Sequence, residues 1–177
     1  MCIRDSSTSR SSLNFQHHVH LEDGAEVKSN LYLSYYTFDL HSNFTFYLND
    51  PENGDEIHQK ERRFIAGGNS QYSNHFFVGS EKWKWAGGVG FRYDRVNDIG
   101  LYHTRQRTEL GTYALGDICE SALWAYAGIE MNLGKWMINP AVRADWFQFS
   151  YADKTATKYS DPNKAQAAVS PKLNIIY

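Results

Sequence analysis

The sequence lacks several features that define other protein classes. None of its apolar runs reaches the roughly 20 residues of a membrane-spanning helix, because the longest covers only residues 122–129 of the 177-residue chain. Lysine and arginine number 18 against 20 aspartate and glutamate residues, a net charge of -2 that offers no positive surplus for a nucleic-acid backbone. Cys2 and Cys119, the only cysteines, match no disulfide or zinc framework. We therefore expect neither a helical membrane protein nor a nucleic-acid partner.

Motifs for catalysis are also missing. No phosphate-binding loop, zinc motif or Ser-His-Asp order stands out, so we predict no enzyme, no catalytic residue and no cofactor. His18 and His20 share one face of a strand, a spacing that suits a metal ion, but no carboxylate or third ligand is evident nearby. We expect water-facing histidines there and no metal site. Cys119 is expected to be an inert small residue at a strand end.

The N-terminal segment looks unlike the rest of the chain. Residues 1–12 are mostly Ser, Arg, Asp and Thr and lack the apolar segment of a secretory signal. The first six residues, Met-Cys-Ile-Arg-Asp-Ser, resemble translated sequencing adapter. We expect residues 1–12 to be non-native or disordered, with the true N-terminus missing, and residues 13–177 to form one folded unit.

Aromatic residues make up 15% of the chain, and apolar residues alternate with polar ones over most of its length. Alternation with a period of two predicts β-strands whose two faces differ. The apolar phase slips near Tyr35 and Tyr36, where we expect a β-bulge. Seven antiparallel strands are predicted, over residues 13–21, 25–48, 62–78, 83–96, 118–131, 136–151 and 168–177.

The connections between these strands alternate in length. Short turns are predicted at residues 22–24, 79–82 and 132–135, and long polar loops at residues 49–61, 97–117 and 152–167. Residues 101–107 could instead extend the fourth strand or pair as an arm of its loop. Short turns at one end of a sheet and long loops at the other are typical of outer-membrane β-barrels.

The two faces of the predicted strands carry different chemistry. A barrel in lipid needs apolar side chains outside, whereas a wide lumen accepts polar ones. Alternation alone fits a soluble β-sandwich equally well, but a sandwich would have to bury charged side chains on one face. We predict the lumen-facing polar residues to be Arg63, Lys84, Arg92, Asp94, Arg143 and Asp145, with the arginines and aspartates joined in cross-strand ion pairs. The predicted membrane-interface aromatic residues are Trp83, Trp85 and Trp136.

Three segments carry a family resemblance: residues 42–55 (SNFTFYLNDPENGD), 90–94 (GFRYD) and 170–177 (SPKLNIIY). Together with the strand pattern they resemble the barrel of TonB-dependent outer-membrane receptors of Gram-negative bacteria. The resemblance implies an all-β, up-and-down transmembrane barrel of about 22 strands with a plugged lumen. About seven of those strands would be present here as an open curved sheet, with the plug domain absent. Tyr177 is expected to mark truncation within a strand.

The resemblance also implies a function. Such receptors sit in the bacterial outer membrane and import scarce nutrients, such as ferric siderophores, with energy delivered by the TonB system through the plug. The ligand would be a small molecule or metal chelate, bound among the extracellular loops 49–61, 97–117 and 152–167. Two alternatives remain open: a complete small barrel acting as a passive pore or adhesin, and a secreted β-sandwich that binds glycans.

Overall fold

The computed structural model describes residues 5–155 and 163–177, which form one seven-stranded antiparallel sheet. Each strand pairs with its neighbours in chain order, from β1 at one edge to β7 at the other. The strands are β1 (Asp5–His20), β2 (Glu26–Ser42), β3 (Ile57–Val78), β4 (Glu81–Arg105), β5 (Thr108–Leu133), β6 (Trp136–Asp153) and β7 (Lys164–Ile176). No helix in the described part of the chain is long and apolar enough to cross a membrane.

The three short connections lie where the sequence predicts them. Each contains a glycine with positive φ: Gly24 at 81°, Gly79 at 64° and Gly134 at 64°. Glycine adopts this left-handed conformation without the steric cost that a Cβ would add. In the first turn the Asp23 side chain also accepts a 3.0 Å hydrogen bond from the Ala25 amide. Local turn chemistry therefore sets the lengths of these hairpins.

Several strand bounds differ from the prediction. β1 begins at Asp5 and pairs with β2 along its whole length, so the strand starts well before the predicted residue 13. That residues 1–12 are non-native stays a prediction, and residues 1–4 lie outside the described residues. The predicted loop 97–117 is largely wrong, because β4 runs to Arg105 and β5 starts at Thr108. Only two residues connect these strands, Gln106 and Arg107, and both have positive φ. The option that residues 101–107 extend the fourth strand is confirmed as far as Arg105.

The predicted bulge near Tyr35 and Tyr36 is also wrong, because the register of β2 with β1 and β3 is unbroken there. The phase slip instead reflects apolar side chains on both faces of β2. Irregularities occur elsewhere, between Lys60 and Arg62 in the β3–β4 pairing and at three places in the β4–β5 pairing. The register shifts of this sheet therefore lie mainly in the β4–β5 pairing, and β2 has none.

The sheet has a single layer and almost no core. Among the described residues, the buried hydrophobic side chains are only Ala25, Val96 and Tyr102. Many large apolar side chains are exposed, among them Leu13 at 67% and Val89 at 60%. A β-sandwich requires a second sheet packed against the first, and the described residues form no such layer. The sandwich alternative is therefore wrong.

The strand register sorts the side chains into two chemically distinct faces. Side chains at paired positions point to the same side of a sheet, and adjacent residues point to opposite sides. One row crosses all seven strands through Phe15, Leu31, Gly68, Phe91, Leu123, Trp146 and Ala167. We call the side of this row the apolar face. The adjacent row, on what we call the polar face, is Gln16, Asn30, Asn69, Gly90, Trp124, Asp145 and Ala168.

Candidate functional site

The six residues predicted to face a lumen all lie on the polar face: Arg63, Lys84, Arg92, Asp94, Arg143 and Asp145. Their ion pairs run along single strands. Arg92 Nε is 2.5 Å from Asp94 Oδ2, and Arg143 Nη2 is 2.7 Å from Asp145 Oδ1. The expected cross-strand pairing is therefore wrong for both Arg-x-Asp motifs. An i, i+2 spacing places both side chains on the same face of one strand, close enough to pair without help from a neighbour.

Aromatic side chains on the polar face cover glycines of the adjoining strand. Trp124 on β5 lies against Gly90 of β4, and Tyr126 lies against Gly88. The Arg143 guanidinium is 5.1 Å from the centre of the Trp124 ring, within the range of a cation–π contact. These contacts fix large side chains across strand boundaries, so the polar face presents an ordered surface.

Trp83, Trp85 and Trp136 lie on the apolar face, each within a few residues of a short turn. Each ring contacts a second aromatic ring. The centroid separations are 5.9 Å for Trp83 and Phe76, 5.1 Å for Trp85 and Tyr72, and 4.6 Å for Trp136 and Tyr177. The predicted interface residues thus belong to one aromatic zone beside the short turns.

The connection over residues 43–56 is organised by two aspartates. Asp55 accepts hydrogen bonds from the amides of Asn49, at 3.0 Å, and Asp50, at 2.8 Å. Burial raises the pKa of Asp55, but these hydrogen bonds outweigh it and hold the pKa below its ordinary value. Asp50 accepts from the Asn53 amide at 2.8 Å, which lowers the pKa of Asp50 as well. Ionised carboxylates therefore fix this loop.

We expect Asp55→Ala to loosen the loop in the full-length protein. The amides of Asn49 and Asp50 would lose an ionised acceptor, so their hydrogen-exchange protection should fall about tenfold or more. Because the pKa of Asp55 is lowered by folding, its stabilising effect is complete above its unfolded pKa of about 3.9. The effect is lost as the pH falls through the lower folded value. Hydrogen exchange read by mass spectrometry checks both statements.

The matched control is Glu52→Ala in the same loop, because Glu52 is exposed and donates to Asp50 through its backbone amide, which the substitution keeps. Exchange at residues 49 and 50 should stay within about twofold of the parent protein. Equal losses of protection in the two variants would contradict the role given to Asp55.

The arm formed by β4 and β5 is tied to this loop. Thr104 donates from its amide to the Glu56 carbonyl at 2.8 Å, and its hydroxyl donates to Glu56 Oε1 at 2.8 Å. His103 Nε2 is 2.7 Å from the Gly54 carbonyl oxygen. The predicted ligand loops 49–61 and 97–117 therefore form one connected surface.

A charge cluster joins the start of the third long loop to the same region. Lys154 Nζ is 2.7 Å from Asp98 Oδ1 and 2.6 Å from Asp117 Oδ1, while Arg62 also pairs with Asp98. Lys154 and Arg62 lower the pKa of Asp98, and the two aspartates raise the pKa of Lys154. Of the predicted loop 152–167, residues 156–162 lie outside the described residues.

Exposed apolar side chains also occur at this loop end. They are Phe44, Phe46, Tyr47 and Leu48 in the loop over residues 43–56, and Leu110 and Tyr113 near the start of β5. Phe46 has a φ of 58°, a conformation that is costly for a bulky residue and occurs often at functional sites. Its carbonyl accepts a 2.6 Å hydrogen bond from the Asp55 amide. The loop end thus combines apolar contact area with fixed polar groups, as ligand sites do.

The structure shows two clusters of histidine and carboxylate side chains that the sequence does not predict. A carboxylate does lie near His18 and His20, because the first hairpin brings Glu26 within 3.9 Å of His18 Nε2 and 3.5 Å of His20 Nδ1. A second cluster, Asp39, His41 and His58, went unpredicted. The Asp-x-His spacing on β2 was its only sequence signal, because His58 joins through the pairing of β2 with β3.

Comparison with known families resolves what this sheet belongs to. The family model described as TonB dependent receptor-like, beta-barrel matches residues 3–177. The chain belongs to the TonB-dependent receptor β-barrel family. No curated protein has a significantly similar sequence. The predicted family and the predicted all-β, antiparallel, open-sheet fold are both confirmed.

Two solved structures resemble this TonB-dependent receptor segment. The ferric citrate transporter FecA, in its unliganded form, matches 97% of the chain with a TM-score of 0.75 and 15% identity. The ferric-catecholate import receptor Fiu of E. coli K12, in an open form, matches 97% with a TM-score of 0.60 and 13% identity. At these identities the likeness concerns the fold alone. The chain spans 25% of the FecA chain and 32% of the Fiu chain.

Proposed function

We propose that this chain forms part of the barrel wall of an outer-membrane receptor that imports a scarce nutrient with energy from the TonB system. One observation carries the proposal: the chain, which belongs to a family of receptor barrels, forms a single unbroken sheet with one apolar and one polar face. A single-layer sheet leaves its apolar face without protein cover, and lipid is the environment that removes this area from water.

The membrane-spanning band follows from strand geometry. A tilted strand crosses the hydrocarbon layer in about 9–11 residues. We assign the crossing in β4 to residues 83–93 and the crossing in β6 to residues 136–146, so that Trp83, Trp85 and Trp136 lie at the interface beside the short periplasmic turns. The polar face then lines the lumen, and its charged residues include Arg63, Lys84, Arg92, Asp94, Arg143 and Asp145.

The extracellular end is where we place nutrient binding. The loop over residues 43–56 and the tip of the β4–β5 arm form a connected surface with exposed aromatic rings and fixed polar groups. FecA and Fiu, by their names, handle ferric citrate and ferric catecholate. Their likeness favours an iron chelate as the nutrient here. Energy coupling belongs to a plug domain of the full-length receptor, which contacts the TonB system.

Uptake by living cells tests this proposal. A strain that lacks the gene should lose growth or radiolabelled uptake on one member of a panel of ferric siderophores, ferric citrate, cobalamin and oligosaccharides. The full-length gene should restore it, and deletion of the TonB gene or dissipation of the proton gradient should abolish it. Uptake that neither treatment changes would favour the small passive barrel and would contradict the proposal of TonB-dependent import.

A further inference from the structure

Asp39, His41 and His58 place one ligand atom each within 4.8 Å of the others. Asp39 and His41 lie on β2, and His58 is the direct partner of His41 on β3. His58 Nε2 is 3.0 Å from Asp39 Oδ2, and His41 Nε2 is 3.8 Å from Asp39 Oδ1. Two imidazoles and a carboxylate are a donor set that suits Zn²⁺. We propose that these three side chains form a Zn²⁺ site, whichever nutrient the receptor imports.

At least one of the two histidine rings must rotate before both can bind one ion. They are stacked with centroids 4.0 Å apart and planes 4° apart, and parallel rings cannot both aim an in-plane lone pair at the same point. Rotation of His41 about its Cβ–Cγ bond would tilt Nε2 towards His58 and Asp39. Zn–N bonds are about 2.0–2.1 Å long, so the nitrogen atoms would finish roughly 3.3 Å apart in a tetrahedral site.

The second ring nitrogen of His41 is also placed near a carboxylate. His41 Nδ1 is buried and has no hydrogen-bond partner among the described residues. Its nearest acidic oxygen is Glu56 Oε1, at 3.9 Å. A ligating histidine usually donates its second ring N–H to a carboxylate or carbonyl, which fixes the tautomer and the ring orientation. Glu56, itself held by Thr104 and the Arg107 amide, is placed to accept that hydrogen bond.

The two histidine clusters differ in whether a lysine already occupies the carboxylate that would bind the metal ion. Glu26, beside His18 and His20, is paired with Lys28 at 2.8 Å, so an ion there would have to displace an ammonium group. Lys60 lies across from Asp39, but its Nζ is 5.4 Å from the centre of the Tyr102 ring. In the described part of the chain, the ion pairs of Asp39 are with the two histidines alone. The Asp39 cluster is therefore the stronger candidate.

The position of the cluster gives the ion a structural role. Tyr35 and Phe64 are cross-strand partners on the apolar face, and the His41–His58 pair lies further along the same strands towards the loop. These strands are the two that the loop over residues 43–56 connects. A bound ion would hold together the two strand ends that flank the loop. Its fourth coordination position would be available for a water molecule.

Zn²⁺ binding to the full-length receptor tests the site directly. The receptor is purified in detergent, stripped with chelator and titrated with Zn²⁺ alone against a chromophoric competitor. We expect one tight equivalent per chain. His58→Ala should weaken that equivalent by about 100-fold or more, and the nearly isosteric Asp39→Asn should also weaken it strongly. Glu56→Gln should cost about 10–100-fold, as loss of an outer-shell partner does.

Two controls keep the result specific. His17→Ala removes an exposed histidine on β1 that belongs to neither cluster and should leave the titration unchanged. A variant with both His18→Ala and His20→Ala should keep the tight equivalent. Heat-modifiable gel migration confirms that each variant is folded. The proposal is overturned if the parent receptor binds no stoichiometric Zn²⁺, if folded Asp39→Asn binds it as the parent does, or if loss of His18 and His20 abolishes binding. None of these outcomes depends on nutrient uptake.

Discussion

Val142→Arg is expected to lower the free energy of unfolding of the full-length receptor by about 2–4 kcal/mol, the cost of a charged side chain at the centre of a bilayer. Val142 lies on the apolar face, midway between Trp136 and Trp146 on β6, and is 47% exposed. Its row includes Ala127 on β5 and Pro171 on β7. An arginine there would have to bring water or lipid headgroups into the hydrocarbon layer. Urea unfolding in lipid vesicles measures the change.

Ala141→Arg is the matched control, one residue away at nearly the same depth. Ala141 lies on the polar face and lines a depression with Glu130 and Asn139. An arginine there would extend into the proposed lumen near a carboxylate and should cost less than about 1 kcal/mol. If the two substitutions destabilise the receptor equally, the apolar face does not contact lipid.

The sequence predicts the short-range features of this fold well, because they are encoded locally. Alternation over residues 83–93 is visible without knowing any partner strand, and it correctly assigns Arg92 and Asp94 to a different face from Trp85. The turns are equally local, since Gly24, Gly79 and Gly134 each supply a positive φ where two strands meet. The family resemblance rests on the same kind of local feature, because the strand pattern and the segment over residues 42–55 are visible in the chain without knowledge of its contacts.

The sequence is much less informative about strand ends. The Ser-rich residues 6–12 pair with residues 34–40, although no apolar alternation marks them, because backbone pairing requires no particular side chain. The β4–β5 arm turns through Gln106 and Arg107, which carry none of the Asn-Gly or Asp-Gly chemistry that predicts a hairpin. Glycine and polar residues in the arm weaken its alternation further, so the sequence favours a long loop there and leaves only residues 101–107 open as an extension of the strand or an arm of the loop.

Contacts between strands could not be predicted, because they depend on register. The pairing of His41 with His58 is fixed by where β2 ends and β3 begins around the loop over residues 43–56. A shift of one residue would send one histidine to the opposite face. The packing of Trp124 against Gly90 is set in the same way by the β4–β5 register. Sequence alternation gives the face of each residue but not its neighbour.

Gly90→Ala tests that packing and should destabilise the full-length receptor by about 1–3 kcal/mol, the usual cost of overpacking. A methyl group at Gly90 would overlap the Trp124 ring, because its carbon atom would lie 2.8 Å from the ring nitrogen Nε1. The ring cannot move freely, because the Arg143 guanidinium lies over it and is itself held by Asp145. Chemical denaturation of the folded receptor measures the cost.

Gly111→Ala is the control, because a Cβ there would meet nothing within 4 Å and the backbone φ is not positive. Its effect should stay within about 0.5 kcal/mol. A double-mutant cycle then isolates the contact, since in a Trp124→Ala background the cost of Gly90→Ala should largely disappear. If Gly90→Ala still destabilises the receptor by the same amount without the tryptophan ring, the glycine is needed for its backbone conformation and not for the space that it leaves to Trp124.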